Sequence, residues 1–118
     1  MRKRRHNTMC QIGDIYMASL NAEGNLQSGT RPVLIVSNDK ANEFSPVITI
    51  VPITSKLGKK KLPTHVFMMN CGLERPSIAL AEQITSINKS KLIKKVGSIK
   101  QTNYEKQIRN AIETQLNL

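Results

Sequence analysis

Any chemistry in this chain has to be done without the usual clusters. The two histidines, His6 and His65, are far apart, and no His-x-Glu-x-x-His or Cys-x-x-Cys spacing offers a zinc site. The acids Asp14, Glu23, Asp39, Glu43, Glu74, Glu82, Glu105 and Glu113 are scattered, which disfavours a two-metal nuclease needing converging carboxylates. No Gly-x-x-x-x-Gly-Lys-Ser/Thr loop cradles a nucleoside triphosphate, and no Gly-x-Ser-x-Gly elbow presents an acyl-transfer nucleophile. Neither metal nor cofactor is expected. RNA relaxes these demands, because its own 2′-hydroxyl can attack the adjacent phosphate. A protein then only has to align that hydroxyl, stabilise charge on the phosphoryl oxygens and help the 5′ oxygen leave. One guanidinium and one hydroxyl can do much of this.

The charge balance points the same way. Lys and Arg number 18 against 8 Asp and Glu, a net charge of +10, and so large an excess favours a polyanionic partner, nucleic acid first. The plainer reading is a solubilising charge. Rings are few (Tyr16, Phe44, Phe67 and Tyr104), so base stacking cannot dominate affinity. Phosphate contacts should, which makes binding strongly salt-dependent. Cys10 and Cys71 form no disulfide framework and read as free thiols in a reducing compartment. The start, Met1-Arg2-Lys3-Arg4-Arg5-His6, is not followed by an apolar run of signal-peptide length, and no stretch is apolar enough to span a membrane. A cytoplasmic protein is expected.

The elements that must position such groups fit in one domain of 118 residues. Residues 1–12 read as a basic, flexible N-terminal arm and 13–118 as the folded domain. From Gly13 to Leu20 a period of two predicts a strand. Asn21 to Thr30 reads as a long loop of the kind that carries binding. Val33-Leu34-Ile35-Val36 reads as a strand buried on both sides. A turn region over Asn38 to Pro46 precedes a strand from Val47 to Thr54, where Pro52 implies an edge or a bulge. Ser55 to Pro63 is a basic loop. Thr64 to Met69 and Ser77 to Ile84 read as strands joined by the turn Asn70-Cys71-Gly72. Asn88 to Lys95 is expected to be a helical turn and Val96 to Ile99 a short strand. A last helix begins at a Thr102/Glu105 capping box and carries the stripe Tyr104, Ile108, Ile112, Leu116. The predicted fold is mainly β: about five or six short antiparallel strands, curled, closed by one C-terminal helix.

Several short motifs, in order, resemble one family. Gly13-Asp14-Ile15-Tyr16, Gly29-Thr30-Arg31-Pro32-Val33-Leu34-Ile35-Val36-Ser37-Asn38-Asp39, Pro52-Ile53-Thr54, Leu62-Pro63-Thr64-His65-Val66 and Ala81-Glu82-Gln83-Ile84 with Ile87 are similar to the MazF/PemK toxins. The resemblance runs from Gly13 to about Leu116. It implies the small curled antiparallel β-barrel shared with CcdB-type plasmid toxins, in a homodimer. It implies a metal-independent, sequence-specific endoribonuclease that cleaves single-stranded RNA, mRNA included, to 2′,3′-cyclic phosphate and 5′-hydroxyl ends. It further implies a MazE-like antitoxin that blocks the RNA groove with an extended acidic segment.

By position, Arg31 matches the family's catalytic arginine, expected to stabilise the phosphorane, and Thr54 its catalytic threonine, whose hydroxyl would bond a phosphoryl oxygen. Glu82 and Gln83 match positions near the bound bases. The surrounding RNA contacts are expected from Gln27, Ser28, Thr30, Ser55, Lys56, Lys59, Lys60 and His65. Each has a plainer alternative. Arg31 could begin a strand and pair with a carboxylate, Thr54 is a good strand residue anyway, His65 could make a structural hydrogen bond, and the lysines could be a solvated loop. Ile12 and Thr85 stand where the family often carries a basic residue, which removes positive charge near the expected groove. Two rival functions remain open at this point: a CcdB-like inhibitor of DNA gyrase, and an RNA-binding module that does not cleave.

Overall fold

The computed structural model describes residues 9–58 and 60–118. The elements run β1 (Asp14–Leu20), β2 (Gly29–Ile35), α1 (Asp39–Phe44), β3 (Val47–Thr54), β4 (His65–Met68), β5 (Ser77–Leu80), a 3-10 turn (Ala81–Gln83), β6 (Thr85–Asn88), a second 3-10 turn (Lys89–Lys91), β7 (Leu92–Ser98) and α2 (Tyr104–Leu116). The seven strands pair antiparallel in the order β4-β5-β3-β2-β1-β7, with β6 beside β3. The curled sheet and closing helix expected from the sequence are present, but among the described residues the ring is not closed: β4, β6 and β7 each have one strand neighbour.

The period of two sorts side chains onto two buried faces. Ile15, Leu34, Val51 and Ile53 pack with Val66, Met68, Ala79, Ile108 and Ala111 beneath α2. Tyr16, Ala18, Leu20, Val33, Ile35, Ile48 and Ile50 form the other cluster. The central strands therefore read as continuous apolar runs, because both faces lose water. Each fully buried aliphatic residue contributes about 1.5–3 kcal/mol. In α2, Ile108 and Ala111 are buried and Tyr104 and Ile112 half-buried, whereas Leu116 at the end of the stripe is 48% exposed.

Several local expectations are corrected. Pro52 lies in a central strand, not at an edge. Thr49 accepts from Val36 N on the β2 side, so even-numbered residues of β3 turn their backbone groups the other way. On that side β6 pairs as far as Ile50 and β5 takes over at Ile53, so the residue without an N–H falls in the gap between neighbours. The turn region after Asn38 is a short helix, capped by Asn38 Oδ1 accepting from Ala41 N at 2.8 Å. The strand from Ser77 stops at Leu80, where a 3-10 turn begins, and the segment from Asn88 to Lys95 holds only one 3-10 turn, because β6 and a longer β7 flank it. The capping box does not form: α2 starts at Tyr104, and the Thr102 hydroxyl donates to Ile99 O and accepts from Tyr104 N.

Of the arm expected over 1–12, residues 1–8 lie outside the described residues. Cys10 is buried in the second cluster. Gln11 N donates to Asp14 Oδ2 and Ile12 N to Asp39 Oδ1, which ties this segment to β1 and α1. Gly72 (φ +98°) and Gly97 let the β4–β5 turn press backbone to backbone on β7. A Cβ at Gly97 would overlap the Cys71 carbonyl oxygen, and Ser98 N donates to that oxygen at 3.1 Å.

Candidate active site and RNA-facing groove

Arg31 sits in the open half of β2, where that strand pairs with β1 (Ala18↔Arg31) but has already parted from β3. The last β2–β3 pair is Val33↔Pro52. Counting two residues back along β2 and two forward along β3 leads to Arg31 and Thr54. Arg31 is half-buried, and its Nε donates to the Ser28 carbonyl at 3.0 Å. Among the described residues no carboxylate lies within ion-pairing distance of it. The guanidinium is thus oriented through one edge, and its terminal N–H groups remain for a ligand. Thr54 is buried to 6% exposure where β3 passes from β2 to β5. Its Oγ1 accepts from Lys56 N at 3.1 Å, which fixes the oxygen and leaves the hydroxyl proton to donate.

The 3-10 turn Ala81–Gln83 is held by Ala81 N donating to Thr64 O and presents two polar side chains toward the loops on either side. Glu82 faces the end of the β3–β4 loop. Its Oε1 accepts from the Thr64 hydroxyl at 2.8 Å, and its Oε2 lies 3.0 Å from His65 Nε2. His65 Nδ1 accepts from Leu62 N at 3.3 Å, so the ring proton on Nε2 faces Glu82. Gln83 faces the β1–β2 loop: its Oε1 accepts from Gln27 N at 2.9 Å and its Nε2 donates to Asn25 O at 3.2 Å. A groove of about 600 Å³ runs along this surface, with Leu20, Gln27, Pro52, Glu82, Gln83 and Lys91 among its walls.

The structure therefore groups Gln27, Glu82 and Gln83 on one wall, joins His65 to Glu82, and joins Ser28 to Arg31. Thr30 is exposed on β2 opposite Ser19. Ser55, Lys56 and Lys60 are exposed at the start and middle of the basic loop, while Lys59 lies outside the described residues. Sequence reasoning missed Thr64 and Asn25, which bond the turn, and Lys91, the cation on the groove wall. Lys91 had a signal, a lysine-rich stretch beside the family motif, but a helical turn was expected there. No three His, Cys, Asp or Glu side chains converge among the described residues.

An oriented guanidinium and a buried hydroxyl, each two residues beyond the last β2–β3 pair, stand on a curled antiparallel sheet closed by a helix, the build of a small toxin-type fold. Known proteins share that fold. The chain is 36% identical to endoribonuclease MazF of Staphylococcus saprophyticus over 113 residues, 93% of each chain. It is 45% identical to endoribonuclease EndoA of Bacillus subtilis over 87 residues, 71% of this chain and 75% of that one. A mycobacterial endoribonuclease solved with its cognate antitoxin superposes with a TM-score of 0.76 at 26% identity, covering 92% of this chain and 96% of that one. Residues 11–116 match the model of the PemK-like, MazF-like toxins of type II toxin–antitoxin systems, and the chain belongs to that family.

Proposed function

We propose that this chain is an endoribonuclease toxin that cuts single-stranded RNA, mRNA included, with Arg31 and Thr54 at the scissile phosphate. The observation that carries this is the state of Arg31: held by its Nε to Ser28 O, lacking a carboxylate partner among the described residues, and two positions beyond the last β2–β3 pair, as Thr54 is on the facing strand.

In the reaction, the 2′-oxygen of one ribose attacks the adjacent phosphorus as the bond to the 5′ oxygen breaks. The products carry a 2′,3′-cyclic phosphate and a 5′-hydroxyl. The 2′-hydroxyl proton is lost and the 5′ oxygen gains one. The free N–H groups of Arg31 and the Thr54 hydroxyl bond the phosphoryl oxygens, where charge grows in the transition state. Arginine keeps its proton, so its role is charge stabilisation. The substrate supplies the nucleophile, so the step requires no metal.

Gln27, Ser28, Thr30 and His65 border the path of the strand, and Ser55, Lys56 and Lys60 meet its phosphates. Glu82 and Gln83 lie on the groove wall beside the bases. The relatives named as endoribonucleases weigh against the gyrase-inhibitor and non-cleaving readings. The solved complex of a relative with its antitoxin supports a cognate antitoxin here too, with an acidic extended segment matched to the net charge of +10. A homodimer acting in the cytoplasm completes the reading. Among the described residues no helix is long and apolar enough to cross a membrane.

The test is digestion of single-stranded RNA in EDTA by wild type, Arg31→Ala and Thr54→Ala, with the new ends identified chemically. Wild type should cut with chelator present and leave cyclic phosphate, and both variants should lose most activity. Cleavage that requires Mg²⁺ would overturn the mechanism.

A further inference from the structure

A carbonyl oxygen on a loop aims Arg31, so whatever fixes that loop fixes the guanidinium. Between β1 and β2, residues 21–28 have no regular secondary structure, and Leu26 N to Glu23 O is a bond within the loop. Among the described residues, the hydrogen bonds that tie this loop to a distant part of the chain are both made by Gln83. One of them grips Gln27 N, and Gln27 is joined by a peptide bond to Ser28, the residue whose carbonyl holds Arg31 Nε. Gln83 is itself on a firm base. The turn that carries it is anchored by Ala81, which is fully buried and bonded to Thr64 O, and Glu82 is pinned by Thr64 and His65. A continuous path of short bonds therefore runs from the core through Gln83, Gln27 and Ser28 to the guanidinium.

We infer that Gln83 is a positioning residue, which sets the Ser28 carbonyl so that Arg31 points its free N–H groups at the scissile phosphate. This rests on the reading of Arg31 above and assigns Gln83 a task other than reading a base. Its side-chain oxygen and one side of its amide nitrogen are already taken by the loop. One lone pair and one N–H remain, but the loop already sets the amide plane, so the orientation of these groups is fixed by the protein and not by a base. Catalytic groups need placement within about 0.5 Å, and a misplacement of about 1 Å costs on the order of 100-fold in rate.

The test separates rate from binding. Gln83→Leu removes both bonds at similar volume, and Gln83→Glu keeps the acceptor for Gln27 N while losing the donor to Asn25 O. Single-turnover cleavage is measured at saturating RNA, and affinity for intact RNA is measured in the Arg31→Ala background. Gln83→Leu should slow the saturated rate by about 10–100-fold, with Gln83→Glu between it and wild type. In the Arg31→Ala background, Gln83→Leu should leave affinity within about twofold and cause no further loss of residual cleavage, because groups acting through one another are non-additive. An unchanged saturated rate with weaker binding would overturn the inference and make Gln83 a base reader. So would a Gln83→Glu variant slower than Gln83→Leu, or a full additional loss on top of Arg31→Ala. An Arg31→Ala protein that still cuts at the wild-type rate would instead sink the underlying catalytic reading, and it is recognised before any Gln83 variant is made.

Discussion

Replacing Arg31 by lysine keeps the positive charge and removes the fork. Arg31 spends Nε on Ser28 O at 3.0 Å and still has its Nη groups for a phosphoryl oxygen. A lysine has one nitrogen. If it bonds Ser28 O it is held away from the phosphate, and if it reaches the phosphate nothing orients it. Arg31→Lys therefore loses at least one preorganised donor, worth about 100–1,000-fold in rate. Arg31→Ala loses the charge as well, and the loss should approach the roughly 1,000–100,000-fold seen when a phosphoryl-stabilising arginine is removed. Stability should not follow activity. The side chain is half-buried and has no acid partner among the described residues, so both variants should unfold within about 0.5 kcal/mol of wild type. The assay is single-turnover cleavage of a labelled single-stranded RNA in EDTA, with melting curves of each variant alongside. An Arg31→Lys protein within about threefold of wild type, a margin too small for a lost donor, would refute the claim that the guanidinium's geometry does the work.

Four further outcomes follow from the same coordinates. Gly97→Ala should destabilise by about 1–3 kcal/mol, read as a lower melting temperature, because the new methyl meets the Cys71 carbonyl across packed backbone; an unchanged melting curve would remove that contact's importance. Glu82→Leu should loosen the β3–β4 loop, since it removes the acceptors of both the Thr64 hydroxyl and His65 Nε2, and trypsin should cut between Lys56 and Lys61 faster than in wild type. Burial raises the Cys10 and Cys71 thiols above their ordinary value of 9.0, so both should alkylate slowly in native protein near neutral pH. The unfolded chain loses those protons first, so their contribution is intact below about pH 9 and stability falls as pH rises beyond it; a stability flat from pH 8 to 10.5 would contradict this. RNA affinity of the Arg31→Ala protein should fall steeply with salt, and a flat dependence would exclude phosphate contacts as its source.

Much of the sheet was legible because the central strands are short, β-branched apolar runs suited to a sheet buried on both faces. Gly13 to Leu20 and Val47 to Thr54 have little other way to bury Ile15, Ile48, Ile50 and Ile53. The elements that were misread are those whose state depends on a distant partner. Thr85 to Asn88 is polar and mostly exposed, and it is a strand only because Val47 to Ile50 offers it a ladder. The Thr102/Glu105 spacing suited a cap, but Thr102 is drawn to Ile99 O and the helix begins later. Pro52 looked like an edge because sequence shows the missing donor and not the gap between β6 and β5 that accommodates it.

The site divides in the same way. Residue types and their order determined which chemistry is available: acids scattered along the chain, no zinc-ligand spacing, a strong positive charge, and an Arg-Pro and a Pro-Ile-Thr motif in a family's arrangement. Those are properties of the chain itself, and folding does not change them. Only the tertiary structure decided that Arg31 is aimed by Ser28 O, and that Glu82 and Gln83 each grip a different loop. The Arg31 contact is local, but the bonds of Glu82 and Gln83 join residues 18 and 56 positions apart and depend on how β1, β2, β3 and β5 curl together. That curl is set by the burial of two apolar clusters at once, which no local stretch of sequence encodes.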